Sequence, residues 1–85
     1  MQVKMTEDTL NEIFNNAETG TRNIINADRL NFHDIEGLVT FAVVDFEARI
    51  RNLIQQNNID ERQVEQQIID RMREFEENLR TQLSV

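Results

Sequence analysis

The sequence contains no cysteine, proline, tryptophan or tyrosine, and it has only two glycines. Without cysteine, the chain can form neither a disulfide framework nor a thiolate zinc site, and a Cys–His nucleophile pair is excluded. The single serine, Ser84, stands next to last, where fraying disfavours a catalytic triad. We therefore expect no catalytic residue, no metal site and no cofactor.

Long apolar runs are also absent. The longest is Leu38–Val44, which Thr40 interrupts, and a membrane-spanning helix needs about 20 apolar residues. The first five residues lack the basic and apolar segments of a signal peptide. These features predict a chain of one domain that does not enter a membrane and resides in the cytoplasm.

Acidic residues outnumber basic ones by 16 to 9, which gives the chain a formal net charge of −7. The acids are spread along the sequence, so no segment is an acidic tail. Proteins that bind nucleic acid directly need a basic face, and this composition argues against such a function. An acidic surface is suited instead to a basic surface on a protein partner.

The lack of proline favours long helices, and the first is predicted over residues 6–19. Thr6 is its expected N-cap, and four apolar residues fall on one helical face. Gly20 is expected to end the helix, because glycine readily adopts the left-handed conformation. Residues 21–33 are predicted to form a loop or a short turn. The apolar residues of the first helix are Leu10, Ile13, Phe14 and Ala17.

A second helix is predicted over residues 34–56, because apolar residues recur there at steps of three or four. The segment Leu38–Val44 is rich in β-branched residues, so a buried strand is an alternative. No partner strand is evident and the helical pattern continues to Ile54, which favours the helix. The predicted buried line consists of Ile35, Leu38, Val39, Ala42, Phe46, Ile50 and Leu53.

The third helix, over residues 60–83, has the clearest start signal. Asp60 with Gln63 predicts a capping box, and Ile59 with Val64 predicts a hydrophobic staple. An apolar stripe with a period near 3.6 residues then follows. Its members are Val64, Ile68, Met72, Phe75, Leu79 and Leu83.

Together these elements predict an all-α fold: an antiparallel hairpin of two long helices, with a short N-terminal helix packed against it. The second helix carries a further apolar line that the hairpin does not cover, formed by Phe41, Val44 and Ala48. We expect this line to self-associate, so that a homo-oligomer, dimeric or larger, completes the core. Gly37, near the start of the same helix, would allow a second helix to approach closely.

Two polar groups are candidate sites. His33 and Glu36 share a helical face, but a single histidine in this order does not match a carboxylate–histidine metal site, so a solvated histidine is expected. The polar segment around Gly20 brings Thr21, Arg22 and Arg29 near each other in sequence. Such a loop could hold a phosphate through backbone N–H groups and a guanidinium, but an ordinary helix end and loop is the favoured interpretation.

The sequence therefore supports two functional hypotheses. The first is a non-catalytic, acidic, helical interaction protein that self-associates and binds a protein partner as an adaptor or inhibitor, for example by covering a basic surface. The alternative is an oligomer that binds or sequesters a small phosphate-bearing ligand, such as a nucleotide. An enzyme is disfavoured because no catalytic groups converge by spacing.

Overall fold

A computed structural model describes residues 7–28 and 34–83 of the chain. These residues form three α-helices and no strand: α1 (Glu7–Asp28), α2 (Ile35–Gln56) and α3 (Glu61–Leu83). The predicted all-α class is confirmed, and so is the helical interpretation of Leu38–Val44. In this part of the chain, no helix is long and apolar enough to cross a membrane.

Helix α1 is longer than the sequence predicts. It passes through Gly20 without interruption and continues to Asp28, so the predicted helix end and the loop are both wrong for residues 20–28. The reason is tertiary packing: Thr21 and Ile25 continue the four-residue step from Ala17, and both are buried. Their burial outweighs the cost of about 1 kcal/mol for glycine inside a helix. The predicted cap Thr6 and residues 29–33 lie outside the described residues.

Helix α2 begins after Asp34, whose carboxylate accepts a hydrogen bond of 2.6 Å from the backbone N–H of Gly37. Its buried line follows the prediction in the middle of the helix and departs from it at both ends. Ile35 is 42% exposed at the first turn. At the other end the fully buried residue is Ile54 rather than Leu53, because Ile54 continues the four-residue step from Phe46.

The turn between α2 and α3 depends on two asparagines. Asn57 donates from its side chain to the carbonyl of Leu53 at 2.7 Å, and Asn58 adopts the left-handed conformation with φ of 58°. Asparagine tolerates this conformation better than most residues. Asp60 then caps α3 by accepting the backbone N–H of Arg62 at 3.0 Å. The side chain of Gln63 returns no hydrogen bond in the described structure, so the N-cap forms without the predicted box.

Contacts at the two ends of α2 define its direction relative to α3. Near its C-terminus, Arg51 pairs with Glu61 and Glu65 in the first turns of α3. In the first turn of α2, Glu36 pairs with Arg80 in the last turn of α3. The two helices are therefore antiparallel over their whole length.

Helix α1 packs against the same two helices. Arg71 of α3 donates to Asn15, and Arg22 of α1 donates to Gln82 at the end of α3. Asn15 precedes Arg22 along α1, and their partners Arg71 and Gln82 follow each other in the same order along α3. Helices α1 and α3 therefore run in the same direction. Each of the three helices is about 33–35 Å long at 1.5 Å per residue, so α1 covers the α2–α3 pair from end to end and is not the short helix predicted.

The three helices enclose one apolar core. At its centre the rings of Phe46 and Phe75 lie 4.5 Å apart and tilted by 40°. Arginines cover two aromatic rings from outside: Arg22 lies over Phe75 and Arg71 over Phe14. Five of the buried apolar residues come from α1, so this core closes within one chain. The core residues are Leu10, Ile13, Phe14, Ala17, Ile25, Leu38, Val39, Ala42, Phe46, Ile50, Ile54, Val64, Ile68, Phe75 and Leu79.

Candidate interaction surface

The side of α2 that faces away from the core is uncharged over three helical turns. Five residues between positions 37 and 48 occupy it, and we call this set the outer face of α2: Gly37, Thr40, Phe41, Val44 and Ala48. All five are exposed to solvent. Val44 is 61% exposed and Phe41 is 37% exposed.

This surface stands out from the rest of the described structure. Apart from Ile35 in the first turn of α2, every other large apolar side chain in residues 7–27 and 34–83 is buried or half-buried. The three residues predicted for self-association, Phe41, Val44 and Ala48, do share this face. Thr40 and Gly37 also lie on this face, beyond the predicted line of three apolar residues. The four-residue step from Gly37 to Phe41 could have placed that glycine on the same face.

On the α1 side of the outer face lies a polar contact between helices. The hydroxyl of Thr21 donates to Oδ2 of Asp45 at 2.8 Å, and Nε of Arg49 donates to the same oxygen at 2.7 Å. Thr21 is fully buried. A buried hydroxyl needs such a partner, so this contact fixes how α1 and α2 align along their length.

Gly20 has a packing role within this contact. A β-carbon at Gly20 would lie 2.6 Å from Nη1 of Arg49, which is too close. The guanidinium of Arg49 therefore crosses α1 at the one position that lacks a side chain. This explains a glycine inside a helix that the sequence alone suggests should end there.

Replacing Gly20 with alanine tests this explanation. In the native background, we expect part of the helix-propensity gain of about 1 kcal/mol to be cancelled, because the Arg49 guanidinium must shift and weaken its hydrogen bond to Asp45. In an Arg49→Ala background, the same substitution should stabilise by about the full 1 kcal/mol. Urea titrations of the four proteins measure the difference. An equal gain in both backgrounds would show that Arg49 does not constrain Gly20.

On the α3 side of the outer face, one arginine joins three carboxylates. The guanidinium of Arg51 donates to Glu47 at 3.0 Å, to Glu61 at 3.1 Å and to both carboxylate oxygens of Glu65 at 3.2 and 3.3 Å. The hydrogen bond from Arg51 lowers the pKa of Glu65. Glu65 and Glu47 in turn raise the pKa of Arg51. The cluster ties the last turns of α2 to the first turns of α3.

This cluster predicts a pH dependence. Because the pKa of Glu65 is lower in the folded state than its ordinary value of about 4.3, its contribution to stability is present above that value. The contribution is lost as the pH falls through the lowered pKa. In Arg51→Gln, the unfolding free energy should therefore depend less steeply on pH below about 5. Urea midpoints between pH 3 and pH 7 measure the slope, and identical slopes would contradict the prediction.

The part of the predicted anion-binding loop that the structure describes is helical. Thr21 and Arg22 lie inside α1, so their backbone N–H groups belong to a helix interior rather than to a loop. The Thr21 hydroxyl is buried against Asp45, while Arg22 pairs with Glu18 and Gln82. The two residues therefore face different neighbouring helices. Arg29 lies outside the described residues.

A small cleft lies where α1 and α3 end together. Its volume is about 160 Å³, and its walls combine apolar side chains with amides and one guanidinium. The guanidinium, from Arg22, is already engaged by Glu18. The lining residues are Arg22, Ile25, Asn26, Leu79, Gln82 and Leu83.

Metal-binding side chains do not converge in the part of the chain that is described. Across residues 7–28 and 34–83, no group of three or more histidine, aspartate or glutamate side chains could hold an ion. His33 lies outside these residues.

Comparison with known proteins gives no relative for this chain. No family model matches the sequence, and neither the curated proteins nor the solved structures contain a significant match. A functional proposal must therefore be argued from the geometry of the molecule itself.

Proposed function

We propose that this protein is a non-catalytic interaction protein, a small acidic helical bundle that self-associates through the outer face of α2 and binds a protein partner as an adaptor or inhibitor. The observation that carries the proposal is the exposure of Phe41 and Val44 in the middle of a helix whose opposite side is fully buried. Exposed apolar patches with polar rims are typical of protein–protein interfaces.

The reason for self-association differs from the one that the sequence suggests. Sequence analysis expects a second copy to complete an open core, but α1 covers the hairpin and the core closes within the chain. The outer face of α2 therefore contributes to an interface between folded molecules. Association of this kind adds to the stability of the fold without being required for folding.

Charge supports the second part of the proposal, a protein partner with a basic surface. Near the start of α1, the carboxylates of Glu7, Asp8 and Glu12 make no ion pair with any residue in the described ranges, and all three side chains are exposed. The net charge of −7 attracts a basic surface on a partner protein. Added salt shortens the range of this electrostatic attraction. We expect partner binding to weaken as ionic strength rises.

The alternative, a protein that binds a phosphate-bearing ligand, receives less support. Of its three predicted residues, Thr21 is buried and Arg22 is held by a carboxylate. The cleft beside Arg22 is also small for a nucleotide, since pockets for such ligands measure about 300–1,000 Å³.

The substitution Val44→Glu tests self-association. We expect it to abolish a concentration-dependent rise in mass, because it places a charge at the centre of an apolar contact. Sedimentation equilibrium measures this for the native chain and the variant up to millimolar concentration. Thr81→Glu, at an exposed position on α3, adds the same charge and should leave the association unchanged. If the native chain stays monomeric throughout, or if both variants associate equally, the proposed role of the outer face is wrong.

A further inference from the structure

We infer that Arg22 of α1 and Arg71 of α3 form a binding site for a dianionic phosphate group in the groove between these two helices. The carboxylate of Glu18 occupies the site as an internal ligand, which an incoming phosphate group displaces. This groove lies on a different side of the bundle from the outer face of α2, so anion binding does not depend on self-association.

The folded chain brings the two guanidinium groups to one carboxylate. Nε of Arg22 donates to Oε2 of Glu18 at 3.0 Å, and Nη2 of Arg71 lies 3.7 Å from Oε1 of the same side chain. The two arginines lie on different helices and far apart in sequence. A single negative charge is therefore shared between two positive charges.

Arg71 is incompletely matched by this arrangement. Its side chain is 26% exposed, and the distance of 3.7 Å to Glu18 is too long for a hydrogen bond. Within the described ranges its one hydrogen bond goes to the neutral amide oxygen of Asn15, at 2.9 Å. A guanidinium buried to this extent is stabilised by an anion that accepts its hydrogen bonds. The groove therefore offers donors that Glu18 leaves unused.

Aromatic rings hold both guanidinium groups in place. Arg22 lies over the ring of Phe75 and Arg71 over that of Phe14, with 5.4 and 5.6 Å from the guanidinium carbon to the ring centroid. Both rings are buried. Arg22 also donates to the amide oxygen of Gln82 at 2.9 Å. Because these contacts do not involve Glu18, the two arginines stay ordered when its carboxylate turns out to solvent, and binding requires little further ordering.

The charge and shape of the site favour phosphate over a second carboxylate. With Glu18 turned away, two positive charges face the groove, and a phosphate group near pH 7 carries close to two negative charges. Its oxygens can accept hydrogen bonds from both guanidinium groups, whose planar shape suits phosphate. The net charge of −7 and the displacement of Glu18 oppose binding, so we expect a Kd on the order of 10 mM.

Two sources of the phosphate group are chemically possible, inorganic phosphate and a small phosphate monoester. The cleft lined by Arg22 has a volume of about 160 Å³. An apolar cavity of about 150 Å³ accommodates benzene, so the cleft can take an ester group of that size. Phenyl phosphate and inorganic phosphate are therefore the two probes.

Amide NMR spectra of dilute nitrogen-15-labelled protein test the site. Each probe is added at pH 7.5, with sodium chloride adjusted to hold the ionic strength constant. We expect saturable shifts around Glu18 and Arg71. Stronger binding of phenyl phosphate would support the site and identify a monoester as the ligand, whereas equal or stronger binding of inorganic phosphate would support it and identify the free anion. No saturable shift there with either probe would overturn the inference.

Two pairs of variants separate the site from a general effect of charge. Glu18→Ala removes the internal ligand, and we expect it to strengthen phosphate binding about tenfold. Glu77→Ala, at an exposed position on α3, changes the net charge equally and should leave the Kd within about twofold. An equal gain in both variants, or no gain in Glu18→Ala, would overturn the inference.

The second pair removes a positive charge. Arg71→Gln should abolish the saturable shifts, whereas Arg73→Gln, exposed on the same helix, should retain them. Thermal unfolding establishes that both variants are folded, and the gain expected from Glu18→Ala cannot arise from unfolding. Binding that survives Arg71→Gln, or that is lost equally in Arg73→Gln, would contradict the assignment.

Discussion

Replacing Phe46 with alanine is expected to destabilise the bundle by about 3–5 kcal/mol. Phe46 is fully buried and its ring contacts that of Phe75 at the centre of the core. Removing the ring loses its transfer free energy and leaves a cavity that three packed helices cannot fill. Small domains are stable by about 5–15 kcal/mol in total, so the variant should be partly or wholly unfolded at 37 °C. Thermal unfolding followed by circular dichroism measures the effect.

Phe41→Ala is the matched control, because it removes the same ring from the opposite side of the same helix. Phe41 is 37% exposed, and we expect its replacement to cost less than half as much as that of Phe46. The comparison must be made at low concentration, where the proposed dimer does not contribute to stability. Equal losses for the two variants would mean that the two sides of α2 are buried to the same extent, in conflict with the structure.

The second large effect is expected at Asp45. Replacing Asp45 with alanine removes the acceptor for the buried Thr21 hydroxyl, and leaving such a donor unpaired costs about 1–3 kcal/mol. By contrast, Thr21→Val removes the donor itself and keeps the side-chain shape. We expect this second variant to change the unfolding free energy by less than about 1 kcal/mol, because no buried polar group is left unpaired.

The double variant, Thr21→Val with Asp45→Ala, measures how strongly the two side chains are coupled. In a Thr21→Val background, Asp45→Ala should cost less than it does alone, since the hydroxyl that needs the carboxylate is already gone. Urea titrations of the four proteins give the coupling free energy, which we expect to be about 1 kcal/mol. A coupling near zero would show that the Thr21–Asp45 hydrogen bond does not align α1 with α2.

Local sequence signals are sufficient to predict the buried side of much of α2 and the start of α3. The apolar step from Leu38 to Ile50 lies on the buried side of α2 as predicted, and Asp60 caps α3. These features depend on side-chain spacing and on hydrogen bonds within a few residues of one another. The outer face of α2 was also visible as a line of three apolar residues, although Gly37 and Thr40 were not recognised as part of it.

The extent of α1 could not be predicted in this way. Gly20 has a low local preference for helix, and the helix continues because Thr21 and Ile25 are buried in tertiary contact, Thr21 against Asp45 of α2. That contact joins residues far apart in sequence, so no local pattern reveals it. The same limit explains the wrong assignment of Thr21 to a polar loop, because threonine is typical of loops and its half-buried partner, Asp45, lies on another helix.

The outer face of α2 as the surface of self-association is the central claim, and a concentration series of amide NMR spectra tests it residue by residue. Spectra of nitrogen-15-labelled protein are recorded between about 0.02 and 2 mM, a range over which weak self-association becomes measurable. We predict saturable shifts confined to α2 between Gly37 and Ala48, and no such shifts in Val44→Glu. Spectra that do not change, or shifts that cluster on α1 or on α3 instead, would contradict the account.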